Sequence, residues 1–461
     1  MLAARVLHEA STVLTLCLAL ALAGIARADE EPVAIDLPTV LRLAGAQNLD
    51  VQIAREALQK AKASRAIAVE KFFPWLAVGA TYHRRDGFAQ AVPAGTISST
   101  HFDSYAPGGT LNAQVAVGDA IYETLAAKQL VHASEHGLDA QTQDSSLEAV
   151  AAYFDLVRAR AVIGVAEQAV ATSADYQRQL HEAVAVGIAF QGDEMRVQTQ
   201  TEQYRIGVTQ AREQTRIAAA RLARALNLDP TVTLTPADPG LDPLEGLSPE
   251  VSMGSLVERA LRERPEIAGS AAAIAAADAI EDAARYGPLV PSVGAQVFVG
   301  ALGGGRDGQE THLGASQDYL FGLSWRLGTG GLFDFGRIDA ARAQAATARL
   351  NGEKTANDVK TDVVTSLTRV RSLAQQIELA RTSLASATDT LRLTRERKQY
   401  GVGIVLEEIQ AQQALNQTRA DYVTKIADFN KAQFALARAV GQPLDAGGHA
   451  VASSAAALPL P

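Results

Sequence analysis

Proline is absent from two long stretches of this chain, between Pro107 and Pro230 and between Pro291 and Pro443, and is crowded into the segments around them. An interior proline removes a backbone donor and clashes with the preceding turn, so its distribution limits how long a helix can run. Both proline-free stretches are rich in Ala, Leu, Gln, Glu and Arg, the residues that cost a helix least. They permit helices far beyond the usual three or four turns. Residues 120–186 alone allow one nearly continuous helix, on the order of 100 Å long at 1.5 Å per residue.

Within the second stretch Val363, Val370, Ile377, Leu384 and Leu391 recur every seven residues, with Leu367, Ala374, Ala380 and Ala387 at most of the intermediate positions. A heptad seam sustained this long implies coiled-coil packing. After a glycine-containing break at Val402-Gly403, Leu415, Tyr422, Phe429 and Leu436 step by seven on the way back, so the unit is a helical hairpin. The first stretch carries a matching series in Ala149, Leu156, Ile163 and Val170. At an offset of about 214 residues Gly187 falls on Gly401, Leu222 on Leu436 and Arg224 on Arg438. Residues 43–54 resemble 260–271, and Phe73-Pro74-Trp75-Leu76 parallels Val290-Pro291-Ser292-Val293. The expected organisation is a leader at 1–28, a first repeat at 29–230, a Pro-rich joint at 231–251, a second repeat at 252–443 and a flexible tail at 444–461. Long helices are expected at about 120–186, 192–228, 335–399 and 405–440.

Each repeat also holds two segments of period two, expected as strands at about 75–84, 110–118, 292–301 and 318–328. One face takes Leu76, Val78, Ala80 and Tyr82, then Leu111, Ala113, Val115 and Val117, then Val293, Val297 and Val299, then Tyr319, Phe321, Leu323, Trp325 and Leu327. The other face is small or polar, with Phe298 and Leu320 as exceptions. Segments 84–109 and 302–318 read as long polar or glycine-rich loops, as on the outer side of a membrane barrel. Two hairpins packed on a soluble core are the competing reading. A closed barrel with a packed interior needs about eight strands, and bare edges are not tolerated in lipid. One chain supplies four, so a barrel requires several copies, and a solute-wide pore three or more.

Composition agrees with this outline. Low aromatic content (5%) beside 48% hydrophobic residues points to close-packed, alanine-rich helices. Net charge −9 argues against nucleic acid as a partner. The start has a charged Arg5, an apolar run at 13–25 and Ala26-Arg27-Ala28, the form of a secretory leader cleaved after Ala28; a membrane anchor is the alternative. The sole cysteine, Cys17, lies in that run behind Leu16 rather than a small residue, so lipidation is not expected and Cys-based metal sites are excluded. No later stretch is long and apolar enough for a spanning helix, which leaves a β-barrel as the only way to cross a bilayer.

Leu323-Ser324-Trp325-Arg326-Leu327 followed by Gly330-Gly331-Leu332-Phe333-Asp334-Phe335-Gly336-Arg337 resembles the strand-to-helix passage of the TolC-like outer membrane efflux protein family. Gly401, Glu407, Ala411 and Gln412 resemble that family's hairpin-tip run, with Gly187, Asp193 and Gln198 in the first repeat. The resemblance covers roughly residues 37–443. It implies an α+β membrane protein in which each protomer has two repeats of a strand pair plus a long helical hairpin. Three such protomers would form one twelve-stranded barrel in the outer membrane of a Gram-negative cell, continued by a helical tunnel into the periplasm. The implied function is the passive outer duct of a tripartite efflux or type I secretion system. Its implied partners are a periplasmic adaptor (membrane fusion protein), an inner membrane pump of the RND or ABC class, and outer membrane lipid.

No nucleophile elbow, phosphate loop or zinc-protease helix is present in the sequence, so no catalytic, cofactor or metal site is expected. His132 and His136 stand one turn apart but make too few ligands for a dedicated metal site. One inward carboxylate per copy around an axis would make a cation-favouring constriction. The resemblance places Glu407 there, with Gln410 where the family often has a second aspartate and Asp193 in the first repeat. A solvated charge near a helix end is the other reading of Glu407, and Val186-Gly187-Ile188 matches Val402-Gly403-Ile404 as an alternative alignment. Gly187, Phe190, Gly401 and Ile404 mark the turns expected to dock an adaptor. Arg395, Arg397 and Lys398 read either as salt links at the tip or as surface charge. The competing function is a periplasmic coiled-coil structural or adaptor protein.

Overall fold

The structure, a computed structural model, describes residues 33–90, 95–238, 240–244, 250–306, 313–400 and 403–444. The leader, Cys17, Gly401 and the tail beyond 444 lie outside the described residues. The elements run β1 (Val33–Ile35), α1 (Leu37–Gln47), α2 (Leu49–Glu70), β2 (Trp75–Gln90), β3 (Ile97–Ala116), α3 (Val117–Ala185), α4 (Gln191–Ala225), β4 (Leu234–Pro236), α5 (Met253–Glu263), α6 (Pro265–Tyr286), β5 (Ser292–Arg306), β6 (Gly314–Ser324), α7 (Phe335–Gln399) and α8 (Val405–Ala439). The order is a strand pair and a long helical hairpin, given twice. Helices α3 and α7 reach 69 and 65 residues, which the proline-free stretches allow. The duplication is also written in backbone geometry. Helix α4 ends with Asn227 at φ +54° and a bond from Leu228 N–H to Ala223 O; α8 ends with Gly441 at φ +84° and a bond from Gln442 N–H to Ala437 O. The same left-handed cap closes both descending helices.

The chain divides into two compact units. One unit comprises the parallel pair β1–β4 together with 149–185 of α3, all of α4, 377–399 of α7 and 405–428 of α8. It contains the turns of both hairpins. Its packing includes a cluster of Tyr176, Leu180, Val197 and Ile409, and a second of Leu391, Ala411 and Leu415, so the heptad positions are buried as the seam requires.

The other unit holds the sheet, helices α2, α5 and α6, most of α1, and the remaining parts of α3, α7 and α8. Asn48 caps α2 by accepting from Asp50 N–H at 2.8 Å, and the buried Ser145 hydroxyl of α3 lies 3.3 Å from the same oxygen. Two buried guanidinium groups join helices here. Arg264 donates to Glu266 and to Asp362 at 2.8 Å, and Arg438 donates to Glu266 and Asp144. Burial opposes ionisation of Glu266, but hydrogen bonds from both arginines outweigh it and bring its pKa down to about 2.

The sheet is antiparallel in the order β2-β3-β5-β6, and among the described residues β2 and β6 are each paired on one side only. Register separates its faces. One carries the rows Leu76–Leu111–Val297–Tyr319, Ala113–Ala295–Phe321 and Val115–Val293–Leu323. The opposite face carries Asn112–Gln296, Gln114–Gly294–Gly322 and Thr110 beside Phe298 and Asp318. Its apolar exceptions have places. Phe298 lies over Gly108 and Gly300, where an added Cβ would come within 2.7 and 2.8 Å of the ring, and Leu320 stands on the edge strand β6.

Two expectations need correction. Segments 84–109 and 302–318 are mostly strand rather than loop, because β2, β3 and β5 extend well past the positions where strict alternation ends. Charged and glycine residues there keep the ladder, which depends on backbone groups and not on the side-chain pattern. Trp325 and Leu327 continue the period-two pattern but leave the strand, which stops at Ser324. Trp325 Nε1 donates to Leu289 O at 3.2 Å, and Gly328 and Gly330, both at positive φ, fold Leu327 back beside Leu332.

Candidate functional site: the turns of the two helical hairpins

The first turn is built by a glycine. Gly187 adopts φ +79°, Ile188 N–H reaches back to Ala183 O at 2.9 Å, and Gly187 N–H reaches Val184 O at 3.0 Å. This pairing satisfies carbonyls that the end of α3 would otherwise leave open, in a conformation that favours glycine. It presents Val186, Ile188 and Phe190 to solvent, and the Phe190 ring lies against Gly192 at the start of α4. On the second hairpin Tyr400, Ile404 and Leu406 are exposed. Thus Gly187, Phe190 and Ile404 do lie in or beside exposed turns, while Gly401 falls outside the described residues.

The acidic candidates have local partners. Asp193 pairs with Arg196 at 2.9 Å, one turn along α4, and its neighbour Glu194 contacts His181 Nδ1 at 2.7 Å. Glu407 is 3.4 Å from Arg397, and Gln410 is exposed. These three residues share no partner among the described contacts.

The residue that sequence reasoning passed over is Glu408. It is only 4% exposed, and its two oxygens each receive a cation at 3.1 Å, Arg395 Nε on one and Lys398 Nζ on the other. Lys398 also sits 3.6 Å from the centre of the buried Tyr176 ring, joining the second hairpin to α3. Burial, followed by the nearby Glu408 charge, pushes the Tyr176 phenol well above its ordinary range. These groups border a cavity of about 500 Å³ together with Thr172, Asp175 and Gln179. The signal for this cluster was periodicity. One heptad past Leu391 is Lys398, and one heptad before Leu415 is Glu408, so both ions occupy seam positions. Arg395 and Lys398 therefore hold a salt link to a buried carboxylate, while Arg397 pairs with Glu407 at the surface. His132, the other sequence candidate, contacts Glu135 at 3.0 Å, and no group of three metal-ligating side chains occurs among the described residues.

Such an arrangement offers ionic ties and exposed apolar turns. Residues 256–442 match the family described as outer membrane efflux protein. A membrane protein from Pseudomonas aeruginosa has a similar structure, with TM-score 0.75 at 21% identity over 88% of this chain and 90% of that one. The CmeC outer membrane channel of Campylobacter jejuni follows at TM-score 0.74 and 17% identity over 89% and 87%. The outer membrane protein VceC of Vibrio cholerae gives TM-score 0.72 and 16% identity over 89% and 97%. No curated protein matches the sequence. The chain has the fold of these outer membrane channels, and the part of it that matches the outer membrane efflux protein family lies in its second repeat.

Proposed function

We propose that three copies of this chain close into a twelve-stranded barrel in the outer membrane of a Gram-negative cell and act as a passive duct for export. The observation that carries this reading is the sheet: it has an exposed apolar face and two edge strands, β2 and β6, each paired on one side only among the described residues. In lipid every unpaired backbone group costs several kcal/mol, so such a sheet is stable there only when neighbouring copies close its edges. In this reading the duct is passive and the free energy for transport comes from elsewhere. A periplasmic adaptor that contacts Val186, Ile188, Phe190 and Ile404, and through it an inner membrane pump, supplies the coupling. Glu407, with Gln410 farther along α8 and Asp193 at the start of α4, is the proposed acidic constriction. The soluble-adaptor alternative fits less well, since it leaves the apolar sheet face uncovered.

The decisive experiment places Val115→Arg and Val297→Arg on the apolar face. Each puts a cation on the apolar face, at a cost of about 2–4 kcal/mol near the midplane and less at Val115, which lies at the helix-joined end of β3, and heat-modifiable trimers in the outer membrane are expected to disappear. Normal assembly of both variants would refute the barrel. Glu407→Gln is expected to shift the reversal potential in a planar bilayer under a salt gradient; an unchanged potential removes Glu407 from the constriction.

A further inference from the structure

The passage from β6 to α7 contains a residue that the rest of the chain does not reward. Phe333 sits at φ +71°, a conformation that side chains other than glycine adopt at a cost, yet it is 71% exposed. Its loop is not loose. Leu332 N–H donates to Arg326 O at 2.8 Å, and Gly328 N–H donates to Leu332 O at 2.8 Å. Asp334 accepts from Gly330 N–H at 2.7 Å and from Arg337 N–H at 3.1 Å, which caps α7. Leu327 and Phe335 are exposed beside it. A braced loop that holds an aromatic ring outward in a strained conformation has the form of a knob without a hole.

The hole lies at the other edge of the sheet. Between the end of α2, the start of β2 and the start of α3 is an open groove of about 690 Å³, walled by Ile67, Phe73, Pro74, Trp75 and Val115. Ile67, Phe73 and Trp75 are all exposed. One flank carries the Lys71–Glu123 ion pair, while the Glu70 carboxylate on the groove has no ionic partner among the described residues. The knob directly follows edge strand β6 and the groove directly precedes edge strand β2, both at the helix-joined end of the sheet. Head-to-tail closure sets the β6 edge of one copy beside the β2 edge of the next. The same step brings the loop at Leu327–Phe335 of one copy to the groove of its neighbour.

We propose that this groove is the seat for the Phe333 loop of a second copy, so that closure of the barrel is locked by a knob-and-groove contact as well as by strand pairing. The inference rests on the trimeric reading above and adds a specific contact to it. The strain at Phe333 is then offset by burial that exists only in the assembly. The contact also explains why the two sides of the sheet differ at their ends, one carrying a rigid apolar loop and the other an apolar recess.

The test places benzoylphenylalanine at position 333 of the full chain, expressed as a mixture of heavy- and light-isotope copies, irradiated in outer membrane vesicles and mapped by mass spectrometry. The expected adduct joins position 333 of one isotope to residues 67–75 of the other. A trimer by native mass spectrometry whose adducts fall on lipid, or within one copy, overturns the inference and leaves the barrel standing. A monomer overturns both. A second variant, Phe333→Gly, relieves the backbone strain while removing the ring. It is expected to lower the temperature at which the trimer dissociates by several degrees. An unchanged or raised temperature means that the ring serves only its own chain, and overturns the proposal.

Discussion

The two hairpins repeat one pattern of a long helix followed by a 35-residue helix, yet their last turns are built differently. Toward the first turn, α3 and α4 bury Tyr176, Leu180 and Val197 and a hydroxyl pair, Ser173–Thr201 at 2.9 Å, and the His181–Glu194 contact at 2.7 Å lies at the rim of this packing. Toward the second turn, α7 and α8 carry the apolar series through Leu391 and Leu415 and then place Lys398 and Glu408 in the next seam positions. An apolar seam holds by area and tolerates small slips, whereas an ionic seam fixes register and fails when either partner is lost. The first hairpin is closed mainly by its core, and the second adds a buried carboxylate held by two cations.

The largest break in this contrast is Glu408→Ala. It leaves Arg395 and Lys398 facing each other beside a buried space, at a cost of about 2 kcal/mol once the part-exposure of both cations is discounted. Amide hydrogen exchange is expected to quicken around Leu391 and Leu415 and to stay unchanged around Leu180 and Val197. The double change Lys398→Leu with Glu408→Leu extends the apolar seam instead, and protection is expected to return to within about 1 kcal/mol of the parent. If the double variant opens as readily as Glu408→Ala, the ionic seam has a role beyond closure and the contrast fails.

Much of this architecture was legible in the sequence, and the limits have physical causes. Proline gaps and heptads announced the long helices because both act through local backbone and seam chemistry that one chain displays by itself. The pair β1–β4 gave no sign, since three-residue strands such as Val33–Ile35 have no room for a period. Helices α1, α2, α5 and α6 lie among the prolines, where short amphipathic segments compete poorly for notice beside a long coiled coil. The strand end at Ser324 was misread because Trp325 and Leu327 keep the alternation while glycines at positive φ decide the path. Glu408 was hidden by its type. Extending the heptads by one step reaches it, but a carboxylate in a seam becomes sensible only when Lys398 and Arg395 are seen to meet it.

A smaller effect is expected at the first turn itself. Gly187→Ala adds a Cβ at φ +79°, where nothing crowds it but the backbone resists, so the cost is about 1 kcal/mol. Faster exchange confined to the end of α3 is the expected result, with the second hairpin unaffected. Exchange that quickens at both turns would mean that the hairpins open as one body, and the comparison between them would lose its basis.

The smallest effect, and the sharpest test of where the two hairpins meet, is Tyr176→Phe. The Tyr176 hydroxyl is buried beside the Glu408 carboxylate without a well-aligned hydrogen bond, so its removal is expected to change the stability of the first hairpin by no more than about 1 kcal/mol. Lys398 keeps an aromatic face to rest on. The pH dependence has a definite sign. Burial raises the phenol's pKa above its ordinary 10.0, so above pH 10 the unfolded chain releases this proton while the folded chain retains it. The native state then binds more protons than the unfolded one, and stability falls as pH rises from that point. Protection around Leu180 and Val197 is expected to decline above pH 10 in the parent and to decline less in Tyr176→Phe. Equal declines in the two proteins would show that the alkaline loss does not come from the Tyr176 phenol, and the contact between the two hairpins at Tyr176 would lose its energetic weight.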